Sequence, residues 1–171
     1  MDTSFGELKI ERVSGTGHLE VLERLAREIW TEHYTPIVGA GQVEYMLREF
    51  QTAAAISEKI REGDLYFLVR TAGREIGYLA VRPDPARGEM YLSKIYLRAE
   101  ERGKGYGWQM VDFVETLARE RTLPRVRLNV HKRNPTIGVY QRMGFRIVGP
   151  VTQDIGGGFM LDDYQMEKSL S

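Results

Sequence analysis

The residues with the plainest chemical potential form one short run, Arg102-Gly103-Lys104-Gly105-Tyr106-Gly107, between a stretch with strand character and a stretch with helical periodicity. The first turn of a helix leaves backbone N–H groups unpaired and carries the positive end of the helix dipole, which together favour a phosphate. Glycines let the backbone approach a ligand closely and take positive φ, so that successive N–H groups converge on one anion. Arg102 and Lys104 add positive charge. Glycine and basic residues also fill ordinary solvated turns, so the run by itself leaves both readings open. Spacing removes two nucleotide sites: there is no Gly-Lys-Ser/Thr ending, and the glycines do not follow the G-x-G-x-x-G order with an acidic ribose partner. A diphosphate from something other than ATP or NAD is favoured.

Composition closes several other routes. The chain has no cysteine, which removes disulfides, thiolate metal sites and a cysteine acyl-enzyme and fits a reducing compartment. His18, His33 and His131 show no metal-ligand spacing, so no metal is implied. With 24 basic and 24 acidic residues there is no global field to draw nucleic acid or an anionic membrane. A length of 171 residues suits one domain, 1–171, with a single core. Residues 1–16 do not resemble a secretory signal, and no later stretch is apolar enough to span a bilayer, so a cytoplasmic protein is expected.

The elements that must position the run follow from periodicity. Residues 8–13 nearly alternate and predict a first strand. Leu19, Leu22, Leu25, Ala26 and Ile29 form a helical stripe ending near Trp30, before Pro36. Two short helices are expected within 40–62, stopped by Gly63. Residues 64–70 and 75–81 read as a hairpin around Thr71-Ala72-Gly73-Arg74, with Pro83 and Pro85 ending its second strand. A long strand over 89–97 leads into the glycine-rich turn and a helix over 104–121. Then come a strand over 125–130, a helix capped by Asn134 with Pro135 in its first turn and Gly144 at its end, and two last strands joined through Gly156-Gly157-Gly158. The sum is an α/β domain with a mixed central sheet of about seven strands and about four helices.

Arg102-x-x-Gly105-x-Gly107 at a strand-to-helix junction resembles the acetyl-CoA loop of the GNAT acetyltransferases, Q/R-x-x-G-x-G/A. LSKIYLRAEERGKGYG resembles that family's strand-turn segment, and NPTIGVYQRMGF its second signature of Asn, Tyr and Gly-Phe. The resemblance is strong over residues 64–149 and weaker elsewhere. It implies a splay between the fourth and fifth expected strands, 89–97 and 125–130, that opens a slot for pantetheine. It further implies that the backbone of Ile95, Tyr96 and Leu97 pairs with pantetheine and polarises the thioester carbonyl. The pyrophosphate would lie on Arg102, Gly103, Lys104, Gly105, Tyr106 and Gly107, Asn134 would contact the pantetheine arm, and Tyr140 would protonate the departing thiolate.

The activity so implied is transfer of an acetyl group from acetyl-CoA to a primary amine by direct attack on the thioester. Direct attack needs a neutral amine and hence a base or water path; Glu89, Glu28 and Glu32 are candidates for it. Trp30, His33, Tyr34 and Tyr45 are candidate acceptor-lining residues, with Trp30, Tyr34 and Glu89 foremost. IWTEHYTPIV and GGGFMLDDYQMEK resemble the bacterial polyamine or diamine acetyltransferases, which makes a polyamine or diamine the first expected acceptor and a protein amine the second. A non-catalytic acyl-CoA sensor and a purely structural α/β domain are the competing classes. The oligomeric state, monomer or homodimer, stays open.

Overall fold

The computed structural model describes residues 2–5 and 8–170, and its contacts divide the chain into two compact units.

The first unit comprises Met1–Val81 with Lys94–Val111. It holds strands β1 (Asp2–Phe5) and β2 (Leu8–Arg12), helices α1 (Gly15–Val38), α2 (Ala40–Phe50) and α3 (Ala53–Glu62), strand β3 (Leu65–Thr71) and most of β4 (Arg74–Asp84). The end of β5 (Glu89–Leu97), a 3-10 turn at Ala99–Glu101 and the start of α4 (Tyr106–Glu120) complete it. Strand order is β1-β2-β3-β4-β5, with antiparallel ladders through Ile10↔Val69 and Phe67↔Leu79. Tyr66 to Val69 and Ile76 to Val81 are buried almost without a break, the pattern of strands covered on both faces. The β3–β4 turn places Ala72 and Gly73 at φ 50° and 74°, the paired positive values that match strand twist in a two-residue hairpin.

The helical stripe of α1 buries Leu22, Leu25, Ala26, Ile29 and Trp30. The helix then continues through Pro36 to Val38, two turns beyond the end expected from sequence. Proline removes one N–H rung but leaves the rest of the ladder, and the Thr35 hydroxyl donates to the Thr31 carbonyl at 2.5 Å while Gly39 N–H closes on Thr35 O at 2.9 Å. Likewise β4 passes Pro83 and ends at Asp84. Strand β1 was not expected; α2, α3 and the αL cap at Gly63 were.

The second unit comprises Arg82–Ser93 with Asp112–Ser171. It contains the start of β5, most of α4, strand β6 (Arg125–His131), helix α5 (Ile137–Arg142) and the long strands β7 (Arg146–Gly156) and β8 (Phe159–Ser169). Strand order is β5-β6-β8-β7. The β5–β6 ladder is parallel and runs from Glu89↔Arg125 to Leu92↔Leu128, while β6 pairs antiparallel with β8 over its whole length, Arg125↔Ser169 to His131↔Asp163. Phe113, Val114, Leu117 and Ala118 of α4 are buried, and Glu115 of that helix binds the Lys168 ammonium at 3.0 Å. The outermost strand, β7, is largely exposed, carries Ile147, Val148 and Pro150, and shifts register against β8 at Ile147/Gly149 and Asp154/Gly156. The α/β class with a mixed sheet is as expected, with eight strands and five α-helices among the described residues. Among these residues no helix is long and apolar enough to cross a membrane.

Candidate functional site

In the first unit, the chemistry-bearing residues follow β5 into α4. Where β5 passes β4 at Gly77, the two backbones come unusually close: a Cβ at position 77 would lie 2.2 Å from the Tyr96 carbonyl oxygen and 3.2 Å from Leu97 Cα. Only a residue without a side chain tolerates that approach, which is why a glycine interrupts an otherwise apolar strand. Arg98 fixes the same stretch, its N–H donating to Ile76 O at 2.8 Å and its Nε to Glu75 O at 2.9 Å. The segment Ile95-Tyr96-Leu97 is therefore set by contacts to β4.

The turn that follows has the geometry its glycines suggest. Gly103 and Gly105 stand at φ 79° and 85°, and Cβ atoms built on Gly103, Gly105 or Gly107 would meet no protein atom within 4 Å. The backbone around the start of α4 thus borders open space, with Arg102 and Lys104 beside it, and these residues fit a diphosphate. Every cation here also has a carboxylate. Arg102 Nη2 reaches Glu32 Oε1 at 2.8 Å and donates to Leu97 O at 3.0 Å. Lys104 Nζ reaches the buried Glu101 at 3.2 Å, Arg74 bonds Glu100 at 2.8 Å, and Arg98 pairs with Glu28.

The aromatic residues of α1 form a packed cluster with β4 and β5. Trp30 is 3% exposed and meets Tyr34 edge-on at 5.3 Å and Tyr96 at 5.4 Å, while Tyr34 and Tyr96 share a hydroxyl–hydroxyl hydrogen bond of 2.9 Å. Tyr78, pushed well up by burial, lies 5.4 Å from Tyr96 and donates to Gln51 at 3.2 Å. His33 packs on Tyr34 at 4.7 Å and is held below its usual range by burial, then by the Arg102 charge, against an opposing effect of Glu32. Tyr45 stands apart from this cluster, packing on Phe50 at 6.2 Å. Trp30 is thus a core residue that seats Tyr34 and Tyr96. Lys94, next to Ile95, has its ammonium lowered to about 8 by burial, with the Asp64 charge opposing the shift.

In the second unit, Asn134 is buried and its Oδ1 accepts from Thr136 N–H at 2.9 Å and Thr136 Oγ1 at 2.7 Å. The cap of α5 falls on Thr136, two residues beyond Asn134, the cap expected from sequence, so Asn134 and Pro135 lie in the turn before the helix and Asn134 organises that turn. Tyr140, on α5, is half-buried, with its ring 5.8 Å from that of Phe145, and Gly144 at φ 100° ends the turn beyond the helix. Glu89, by contrast, is 5% exposed and accepts from Arg127 Nε at 2.7 Å, with Arg125 at 3.9 Å. Its carboxylate is committed to this internal ion pair. Asp163, half-buried on β8, escaped notice in the sequence; burial and the neighbouring Asp162 charge raise its carboxyl to about 6. Only its place on an alternating strand was visible, and that gives no sign of a perturbed acid.

Strand, glycine-rich turn and helix in this order, within a mixed sheet, define an α/β protein. Residues 22–145 match the model of the Acetyltransferase (GNAT) family, and the chain belongs to that family, the acetyl-CoA-dependent acyltransferases. Among solved structures it is similar to the PaiA N-acetyltransferase of Thermoplasma acidophilum in complex with coenzyme A, with 23% identity, 95% of this chain and 98% of that one covered and a TM-score of 0.79. It is also similar to a GCN5-related N-acetyltransferase from Rhodopseudomonas palustris, with 16% identity, 94% of each chain and a TM-score of 0.80. The ribosomal-protein-S18-alanine N-acetyltransferase of Escherichia coli follows at 14% identity, 96% of this chain, 94% of that one and a TM-score of 0.69. Identities this low speak to fold, and no curated protein matches the sequence.

Proposed function

We propose that the chain, working as a single domain over residues 1–171 in the cytoplasm, acetylates a primary amine of a small molecule, with diamines and polyamines as the acceptor class. The observation that carries the reading is the nest: Gly103 and Gly105 at positive φ, bordering open space, between the 3-10 turn that follows β5 and the start of α4. Acetyl-CoA supplies an activated acyl group on a good thiolate leaving group.

In this reading the N–H groups of Gly103, Gly105 and Gly107, with the Arg102 backbone and the Arg102 and Lys104 side chains, hold the diphosphate. The peptide groups of Ile95, Tyr96 and Leu97 orient the pantetheine arm and donate to the thioester oxygen, a role any side chain at those positions permits. Asn134 contributes a polar contact to the arm, and the Tyr140 hydroxyl gives its proton to the departing sulfur, a phenol being protonated at neutral pH. Tyr34, exposed enough to meet a ligand and hydrogen-bonded to Tyr96, lines the acceptor side, with buried Trp30 behind it. Glu89 takes no part.

The test is thiol release from acetyl-CoA over a panel of amines that includes linear diamines, triamines and an N-terminal peptide amine. Thiol release that requires a diamine or polyamine is the expected result. Release only with the peptide moves the acceptor to a protein amine. Absence of release with every amine, together with no protection by CoA against thermal unfolding, would remove the enzyme reading.

A further inference from the structure

Two carboxylates of α1, Glu28 and Glu32, stand one helical turn apart, and each meets an arginine from the segment between β5 and α4. The two arginines are held in different ways. Arg98 pairs with Glu28 and is also anchored to β4 through Nε on Glu75 O at 2.9 Å, with a side chain 21% exposed. Arg102 makes both of its contacts through one nitrogen, Nη2, to Glu32 at 2.8 Å and Leu97 O at 3.0 Å, and its side chain is 37% exposed against 47% for Glu32. An ion pair that exposed is worth at most about a fivefold factor in an equilibrium. A diphosphate on the nest offers the same guanidinium a partner of higher charge and bidentate geometry, which the exposed pair is too weak to outbid.

We infer that Arg102 couples the two substrates: it leaves Glu32 for the diphosphate of CoA, and the Glu32 carboxylate so released takes the distal ammonium of a diamine acceptor. This rests on the reading of the nest as the CoA site. Glu32 thus serves recognition of the acceptor. The attacking amine must be neutral, whereas a diamine keeps its second nitrogen protonated, and that nitrogen needs a carboxylate that is not already neutralised. Glu28 cannot serve in the same way, because its arginine is anchored in β4 outside the nest.

Calorimetric titration tests the coupling with CoA, which carries no acyl group and allows no turnover, and with 1,4-diaminobutane. Glu32→Gln is expected to bind CoA about two- to fivefold more tightly than the wild type, the factor set by loss of the competing ion pair. In the wild type, saturating CoA should raise diaminobutane affinity by a similar factor, since such coupling is reciprocal. That gain should vanish in Glu32→Gln and persist in Glu28→Gln. Equal or weaker CoA binding by Glu32→Gln overturns the inference, as does a wild type whose diaminobutane affinity shows no CoA-dependent gain, including no diaminobutane binding at all. A wild type that does not bind CoA overturns the nest itself, whereas three proteins binding CoA with equal affinity leave the nest standing and remove the coupling.

Discussion

Replacing Gly77 by alanine probes the placement of the Ile95–Leu97 backbone without touching any residue assigned to chemistry. The new methyl carbon would begin 2.2 Å from the Tyr96 carbonyl oxygen, 0.8 Å inside the 3.0 Å below which real Cβ contacts essentially never fall, and 3.1 Å from Leu97 Cδ2. The obstacle is backbone, so no rotamer change relieves it, and β5 must move off β4 by roughly 1 Å. Overpacking of this kind costs about 1–3 kcal/mol, or about 2–12 °C in melting temperature for a chain of this length. If these peptide groups orient the thioester, a displacement of that size lowers turnover by up to about 10²-fold while leaving CoA affinity, set mainly at the nest, within a few-fold. Thermal unfolding, CoA titration and thiol release at a temperature well below both melting points separate the three effects. Gly41→Ala, on α2 with no atom within 4 Å of the added carbon, is the control and should be neutral or slightly stabilising. Unchanged melting of Gly77→Ala would refute the steric argument. Lower melting with full turnover would refute the catalytic placement of the segment.

Tyr140→Phe should lower kcat by about 10²-fold or more while CoA affinity, read by titration, stays within about twofold; equal kcat rejects the proton-donor role. Gly105→Glu should weaken CoA binding at least about tenfold, because a side chain at φ 85° is strained and its carboxylate opposes the diphosphate; undiminished affinity by calorimetry counts against the nest. Asp163 gives a pH test. Its folded carboxyl, near 6, lies above the unfolded value, so its contribution to stability is present at low pH and lost as pH rises through 6. The shift corresponds to at most about 3 kcal/mol, reduced to about 1 kcal/mol by partial exposure. Less than half of that falls above pH 5, so urea unfolding at pH 5 and pH 8 should find Asp163→Asn gaining about 0.5 kcal/mol on the wild type between the two, and a pH-independent difference would reject this.

Legibility in the sequence followed the range of the interactions concerned. The nest, the bounds of β5 and the hairpin at Ala72-Gly73 depend on residues adjacent in the chain, and their spacing announces them. The stripe of α1 gave its buried face but not its end, because a proline is decisive only when the rungs around it cannot compensate, and Thr35 and Gly39 here do so. Gly77 stood in plain view inside EIGYLAV, the signal of a strand position approached closely by another backbone, yet which backbone it meets depends on β5, about twenty residues on. Glu32 was legible only as one of three candidate bases, with Glu28 and Glu89. Its pairing with Arg102, 70 positions later, is a property of the folded chain that no periodicity encodes. Glu89 shows the converse: an acid at the start of a central strand invites a chemical role, and the parallel register opposite Arg125, with Arg127 two residues on, absorbs it.

The outer rim of the second unit bears on how the protein behaves when crowded. An edge strand is where a folded chain can recruit an extended stranger, and β7 carries the exposed Ile147 and Val148 that would make such an encounter adhesive. Pro150 has no N–H to contribute, and the register shifts on either side of it, at Ile147/Gly149 and Asp154/Gly156, break the strand's regular rhythm. Between these interruptions the rim offers only short stretches of regular backbone, too few in succession to template a growing ladder. The same irregularities that make β7 look poorly designed as a strand leave it an ill-fitting mould for fibrils.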